Sequence, residues 1–327
     1  MDEIIRQADL KKPAFLCAIS LIAFLLFSGW AEAKPAKTPE KIKTIIIGDR
    51  VVDIAYNLGV IPEAMVVRCA MWPLCKNRLK AMIQPLGCPN CVTLKRKTIV
   101  PETAGKLGIK QIIIEKHPNY CLYKPEVKPE NVVPLLAGKG LTIEYVDFSE
   151  GLESAIRQTA KLVGRESGAD SLIESYNKAM VKAKGALPEK KPAKKVLIIA
   201  GVYQPQTGKT FLRVEMPGGY SDRFLLDPLG CINVGDALKR PKTKVDKGHF
   251  IIRKLDGLIK AKPDVIIMTG DAFAVQKVLS VQTKNYPNLA AVPAIRNQAI
   301  YSLPFYADSS VIEYPAILRQ WTVALAD

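Results

Sequence analysis

The chain has 327 residues and a formal net charge of +16 at neutral pH, with 48% hydrophobic and 24% charged residues. That length exceeds one ordinary core, so two domains are expected, and the composition excludes disorder for the body of the chain. The first 33 residues carry three basic and four acidic side chains, so the rest is more basic still. Such a field suits anionic partners: acidic lipid, an anionic chelate or nucleic acid.

Lys11 and Lys12 precede an apolar run of thirteen residues, Phe15 to Phe27, and Ala31-Glu32-Ala33 then offers a small-x-small cleavage site. The run is shorter than the ~20 residues of a membrane-spanning helix. Residues 1–33 are therefore expected to be a signal peptide cleaved after Ala33, which makes the mature chain periplasmic and disfavours nucleic acid as a partner. Residues 34–43, rich in Lys, Pro and Ala, read as a leader.

Ile42 to Ile47 is a β-branched apolar run that ends in Gly48-Asp49-Arg50, which predicts a buried strand and a turn. Val51 to Leu58 has helical spacing and stops at Gly59. Further strands are expected at Ala64–Val67, Ile112–Glu115 and Leu141–Val146. Residues 150–188 hold the longest helical pattern. Leu152, Ile156, Ala160, Leu162 and Val163 share one face, and after a break near Gly164 the pattern resumes with Ala169, Leu172, Ile173, Tyr176 and Met180. A charged, Pro-bearing joint at 185–192 closes it. Strands then follow at Val196–Ala200 and Asp264–Thr269, and a helix at Pro315–Leu325. Short apolar strands alternating with helices argue for mostly parallel sheets covered on both faces. The expected fold is α/β, with two Rossmann-like lobes over residues 34–149 and 189–327 joined by one long helix over 150–188. A helical tether of this kind favours a modest hinge motion.

Three stretches resemble the binding proteins of ABC importers for iron siderophores, haem and cobalamin. Ile45 to Met65, with Tyr56-Asn57-Leu58-Gly59, resembles that family's opening strand, helix and turn. Gly164-Arg165-Glu166 with Ala169, Leu172, Ile173 and Tyr176 resembles the start of its inter-lobe helix. Leu255 to Ile267, with Leu258-Ile259-Lys260-Ala261-Lys262-Pro263-Asp264, resembles its "leucine–x–x–leucine–lysine–proline–aspartate" signature. The resemblance implies a ligand cleft between the lobes and, as partners, an ABC permease with its ATPase. It also implies one acidic docking residue on each lobe, which falls on Glu102 and Asp256. The protein is then expected to be a monomer that binds rather than catalyses, and no Ser/His/Asp set or paired-carboxylate geometry is evident.

Residues 68–124 depart from that family as a cysteine-rich insertion. Arg68-Cys69-Ala70-Met71-Trp72-Pro73-Leu74-Cys75 is followed by Gly87-Cys88-Pro89-Asn90-Cys91, then by His117 and Cys121. Six cysteines lie beyond residue 33, and five of them fall within 53 residues. An oxidising compartment favours disulfides, and six cysteines allow about 15 pairings. The clustering favours metal ligation instead, by Cys69, Cys75, Cys88, Cys91, His117 and Cys121. Cys88-x-x-Cys91 has the spacing for two sulfurs on one ion, and a sulfur–imidazole set suits iron, zinc, copper or an iron–sulfur centre. Both readings stand at this level, as does a mixture. Cys231 reads as a buried hydrophobe.

Aromatic and cationic residues suited to a planar or anionic chelate are Arg68, Trp72, Tyr203, Arg213, Tyr220, Phe305 and Tyr306. Gly208-Lys209-Thr210 ends like a phosphate-binding loop, but Tyr203 stands where its first glycine is needed. Two functions follow: capture of a metal-containing ligand (a siderophore, haem or corrinoid) for an importer, or a periplasmic thiol-redox or metal-cluster protein on the same scaffold.

Overall fold

The computed structural model describes residues 38–326. The expected signal peptide lies outside the described residues. Among those described, no helix is long and apolar enough to cross a membrane.

The first lobe is built on five parallel strands. They are β1 (Glu40–Ile47), β2 (Val60–Val66), β3 (Gln84–Gly87), β4 (Gln111–Lys116) and β5 (Thr142–Asp147), in the order β3-β2-β1-β4-β5. α1 (Asp49–Asn57) joins β1 to β2, α2 (Pro89–Leu94) and α3 (Ile99–Leu107) lie between β3 and β4, and α4 (Leu152–Leu162) follows β5. Side chains alternate across a strand, so β1 feeds two cores at once. Ile46, Met65 and Ile113 face one core. Ile45, Ile47, Ala64, Val66, Ile112 and Ile114 face the other. Burial on both faces explains why β1 and β4 read as continuous apolar runs.

The second lobe has β6 (Lys195–Gln204), β7 (Lys209–Glu215), β8 (Ile232–Asn233), β9 (His249–Ile252), β10 (Val265–Gly270) and β11 (Ile300–Ser302), with α6 (Ala272–Asn285) after β10. The order is β11-β10-β6-β7-β9, with β8 beside β6. β11, β10, β6 and β8 run parallel, whereas β7 and β9 add an antiparallel flap at one edge. The same alternation holds: Leu197, Ile199, Ile266 and Met268 pack into one core, and Val196, Ile198, Val265 and Ile267 into the other.

The helical pattern around 150–188 is two helices, α4 and then α5 (Glu166–Gly185), turned at Gly164 with φ of +65°. Ala169 and Ile173 of α5 join a core of the first lobe, while Ala183 near its other end joins a core of the second. A second link is not covalent. The segment between β11 and α7 (Tyr314–Ala326) lays Val311 and Ile312 on the first lobe's core. The Ile312 amide there donates to Asp53 Oδ2 at 2.9 Å.

Candidate functional site

In the first sheet the chain passes from β1 to β2 on one side and later reaches β4 on the other. This order reverses between β1 and β4, and open α/β sheets bind ligands at such a switch, beyond the strands' carboxyl ends. Asp49 and Arg50 follow β1, Arg68 follows β2, and Glu115 lies near the end of β4. Asp308, Ser309 and Ser310 descend on them from the segment before α7. All of these are buried.

Arg68 is the hub. Its Nε donates to Asp49 Oδ2 at 2.7 Å and its Nη2 to Asp308 Oδ1 at 3.0 Å. Its Nη1 donates to the Tyr120 carbonyl at 2.5 Å and to Tyr220 Oη at 2.8 Å. The guanidinium carbon lies 4.2 Å from the Tyr120 ring centre, a cation–π contact. Arg50 pairs with Glu115 and with Asp308, closing a chain of charges across the two lobes. Asp49 also accepts from Tyr120 Oη and Ser309 Oγ, both at 2.6 Å.

Three carboxylates therefore surround two guanidiniums. Burial works to raise the Asp49 pKa, but the Arg68 charge and the bonds from Ser309, Tyr120 and the Arg68 amide outweigh it, so Asp49 is held below its ordinary value. Burial prevails at Glu115 and Asp308, despite Arg50 and Arg68, and both are raised.

The cysteine-rich segment borders this seam. Cys69 and Cys75 form a disulfide, which removes both from a thiolate set and corrects their expected role as metal ligands. Cys88 and Cys91 are free, half-buried thiols with their sulfurs 3.1 Å apart. Cys121 is a buried free thiol grouped with Tyr120 and Val127. His117 is half-buried, with Nδ1 accepting from the Asn119 amide at 3.0 Å and its ring 5.8 Å from Phe148. Burial and the Arg50 and Arg68 charges push its pKa down to about 4, so it is neutral at physiological pH. Among the described residues no group of three or more His, Cys, Asp or Glu side chains is placed to hold a metal ion. The six-residue ligand set expected from clustering is therefore not brought together. Cys231 is buried in a core of the second lobe.

Other expected ligand contacts divide in two. Arg68, Trp72, Tyr220 and Tyr306 are buried in the protein's own packing. The Trp72 indole donates to Ser310 Oγ at 2.7 Å, and the Tyr306 ring lies 4.9 Å from Tyr314 and 5.2 Å from Phe224. Arg213, Phe305 and Tyr203 remain accessible, although Tyr203 stands 51% exposed on the β6–β7 hairpin. Arg213 lines an open concavity of about 1170 Å³ over the β7–β9 flap. Phe211, Leu238 and Phe250 are among its apolar lining, and Lys239, Arg240, Lys244, Arg253 and Lys254 add charge, against Asp246 and Asp256. His249 also lines it, 6.0 Å from the Phe305 ring. This margin adjoins the first lobe. Burial and the nearby Arg213 charge lower the Lys76 pKa, and a Cβ on Gly248 would meet the Tyr123 ring at 2.4 Å.

Behind His249 sits Glu215, fully buried, bonded by the Ser221 amide at 3.1 Å and its hydroxyl at 2.8 Å. Burial raises its pKa to about 7. Asp49, Arg50, Glu115, Asp308 and Glu215 were all missed as site residues. The available signal was polar pairs, Asp49-Arg50 and Asp308-Ser309, breaking apolar runs at strand ends. Glu102 is exposed on α3, and Asp256 is exposed but held by Arg240 Nη2 at 3.1 and 3.2 Å.

The family described as periplasmic binding protein matches residues 139–307, just over half of the chain. No curated relative matches it. Among solved structures, the periplasmic heme-binding protein BhuT in complex with two hemes aligns with a TM-score of 0.56 and 16% identity, over 88% of this chain and 99% of that one. The periplasmic heme-binding protein RhuT from Roseiflexus sp. RS-1 gives 0.54 and 15%, over 88% and 98%. The periplasmic heme-binding protein HutB of Vibrio cholerae gives 0.51 and 18%, over 87% and 98%. At such identities the likeness is one of fold.

Proposed function

The chain belongs to the periplasmic binding protein family, and from that premise we propose that it is the exported solute-binding component of an ABC importer for a metal-containing ligand, such as a siderophore, haem or corrinoid. One observation carries the reading: the strand ends of the first lobe meet the second lobe at a seam, and a basic, apolar-lined concavity opens beside it. The cationic side chains suit the carboxylates or phosphates at the edge of a chelate, and Phe211 and Phe305 suit its apolar body. Arg213 and His249 are among its lining. The cysteine-rich segment, which approaches this margin through Lys76 near Arg213 and Tyr123 beside Gly248, is the proposed ligand-specific part.

Delivery requires a permease with its ATPase, and Glu102 and Asp256 are the docking acids. Because Arg240 already holds Asp256, a permease arginine must compete for that carboxylate. Glu102 therefore contributes the larger share. Charge reversal at Glu102 is expected to slow uptake more than reversal at Asp256, and intact uptake in the double reversal would remove the docking role.

The binding claim is tested by titrating the purified protein with haem, a ferric siderophore and cobalamin while following tryptophan fluorescence. One of these classes is expected to saturate at one ligand per chain, and Arg213→Glu to weaken it about tenfold or more, equivalent to about 1.4 kcal/mol. Absence of saturable binding by all three would sink the reading.

A further inference from the structure

The charged seam makes no use of Cys88 and Cys91. Cys88 follows the last residue of β3 and Cys91 lies in α2, so a strand end and a helix start hold the pair. The backbone fixes both positions: the Val92 amide donates to the Cys88 carbonyl at 3.0 Å and the Lys95 amide to the Cys91 carbonyl at 3.0 Å. Gly87, with φ of +122°, makes the turn, and a Cβ there would lie 3.4 Å from the Cys91 Cβ. The two sulfurs are 3.1 Å apart and within reach of solvent. A disulfide needs them to close by roughly 1 Å, to about 2.05 Å, which side-chain rotation can supply. β3 runs parallel to β2, so the pair sits at the same end of the sheet as the Cys69–Cys75 bridge that follows β2.

From this geometry we propose that Cys88 and Cys91 are a reversible dithiol–disulfide couple, a thiol-exchange site outside the charged seam, whose reaction partner is a disulfide or dithiol of another molecule. In the oxidising direction one cysteine thiolate attacks a sulfur of the partner's disulfide. The partner's S–S bond breaks, a mixed disulfide forms, and one partner thiolate leaves and takes a proton. The second cysteine then attacks the mixed disulfide, closes the Cys88–Cys91 bond and releases the second partner thiol. The protein gives up two electrons and two protons, and the partner gains both. Burial and the hydrogen bond to Cys91 raise the Cys88 pKa, which lowers the fraction of Cys88 present as thiolate.

The free cysteines Cys121 and Cys231 are buried and apart from this pair, and Cys69–Cys75 is already closed. Among the described residues, Cys88 and Cys91 are therefore the free thiols placed to close on one another in the folded protein.

The test equilibrates the full-length mature protein, without ligand, across ratios of reduced to oxidised glutathione. Thiols are then trapped by alkylation under acid quench and mapped by peptide mass spectrometry. The Cys88–Cys91 disulfide is expected to appear and disappear as a single two-electron transition, while Cys69–Cys75 stays closed and Cys121 and Cys231 stay reduced. Cys88→Ser is expected to leave Cys91 forming a mixed disulfide with one glutathione. A pair that stays fully alkylatable at every ratio overturns the proposal. So does a bridge that cannot be reduced without denaturation, or a pair found joined to other cysteines. Co-purified metal that holds both thiols against alkylation until a chelator removes it would likewise overturn it, in favour of ligation. Thermal melts of Cys88→Ser and the double Ser variant separate loss of exchange from loss of fold. Since no ligand enters the assay, its failure leaves the importer reading untouched.

Discussion

Arg68 bonds Asp49 and Asp308 from opposite lobes, so one side chain neutralises charge on both. Removing it leaves carboxylates buried beside one remaining guanidinium. Arg68→Ala is therefore expected to cost about 3–5 kcal/mol, read as a lower midpoint in chemical denaturation. A change under about 1 kcal/mol would show that the seam is solvated. Glu215 gives a pH signature. Its folded pKa, about 7, lies above the ordinary 4.5, so the native state holds a proton that the unfolded state releases. The stabilisation is fully present below about 4.5 and is lost as pH rises through about 7. Facing it are Ser221, His249 with Nε2 at 4.0 Å, Tyr123 and Asp222. The His249 pKa is itself lowered, by burial first, which disfavours an imidazolium beside Glu215. Melting temperature is expected to fall between pH 5 and 8, and Glu215→Gln to flatten that fall. An unchanged slope in the variant would assign it elsewhere. Composition reveals none of this, because Asp49-Arg50 between a strand and a helix reads as a turn until Glu115 and Asp308 arrive from 65 and 258 residues away.

At the scale of elements, the buried parallel strands were legible because two-sided burial writes itself as apolar runs such as Ile45-Ile46-Ile47 and Ile112-Ile113-Ile114. β3 was not, since it is a four-residue edge strand that contains Pro85. The β7–β9 flap was hidden because its strands alternate buried Val214 and Phe250 with Arg213 and exposed Ile251, and the hairpin turn at Pro205 to Gly208 reads as a plain loop. Cysteine spacing marked the segment but not the pairing, because only the path from β2 places Cys69 against Cys75. The β1–α1 turn offers an element-level test. Gly48 has φ of +136°, and a Cβ there would lie 2.2 Å from the Glu115 Cβ. Gly48→Ala must strain the backbone and push Glu115 from Arg50, which is expected to cost about 2 kcal/mol or more in denaturant titrations. A neutral substitution would mean that the turn relaxes without disturbing the ion pair.

The two lobes are tied by α5 and again by the Asp308–Ile312 segment lying on the first lobe. Two ties restrain opening more than the single helix expected from sequence, so ligand capture should change the scattering radius of gyration by no more than about 1 Å, a local rather than hinge-like response. A change of several ångströms would show that the seam opens. The concavity proposed to hold the ligand was not legible, because its lining side chains are grouped by the flap and by loops that carry no periodicity. The most direct test of a metal-containing cargo is native mass spectrometry with elemental analysis of the protein isolated, without oxygen, from the envelope of its own cells. The expected result is one added mass per chain that corresponds to a metal complex, lost on denaturation, with stoichiometric metal. A chain that carries neither added mass nor metal, even after incubation with haem, ferric siderophore and cobalamin, would contradict it.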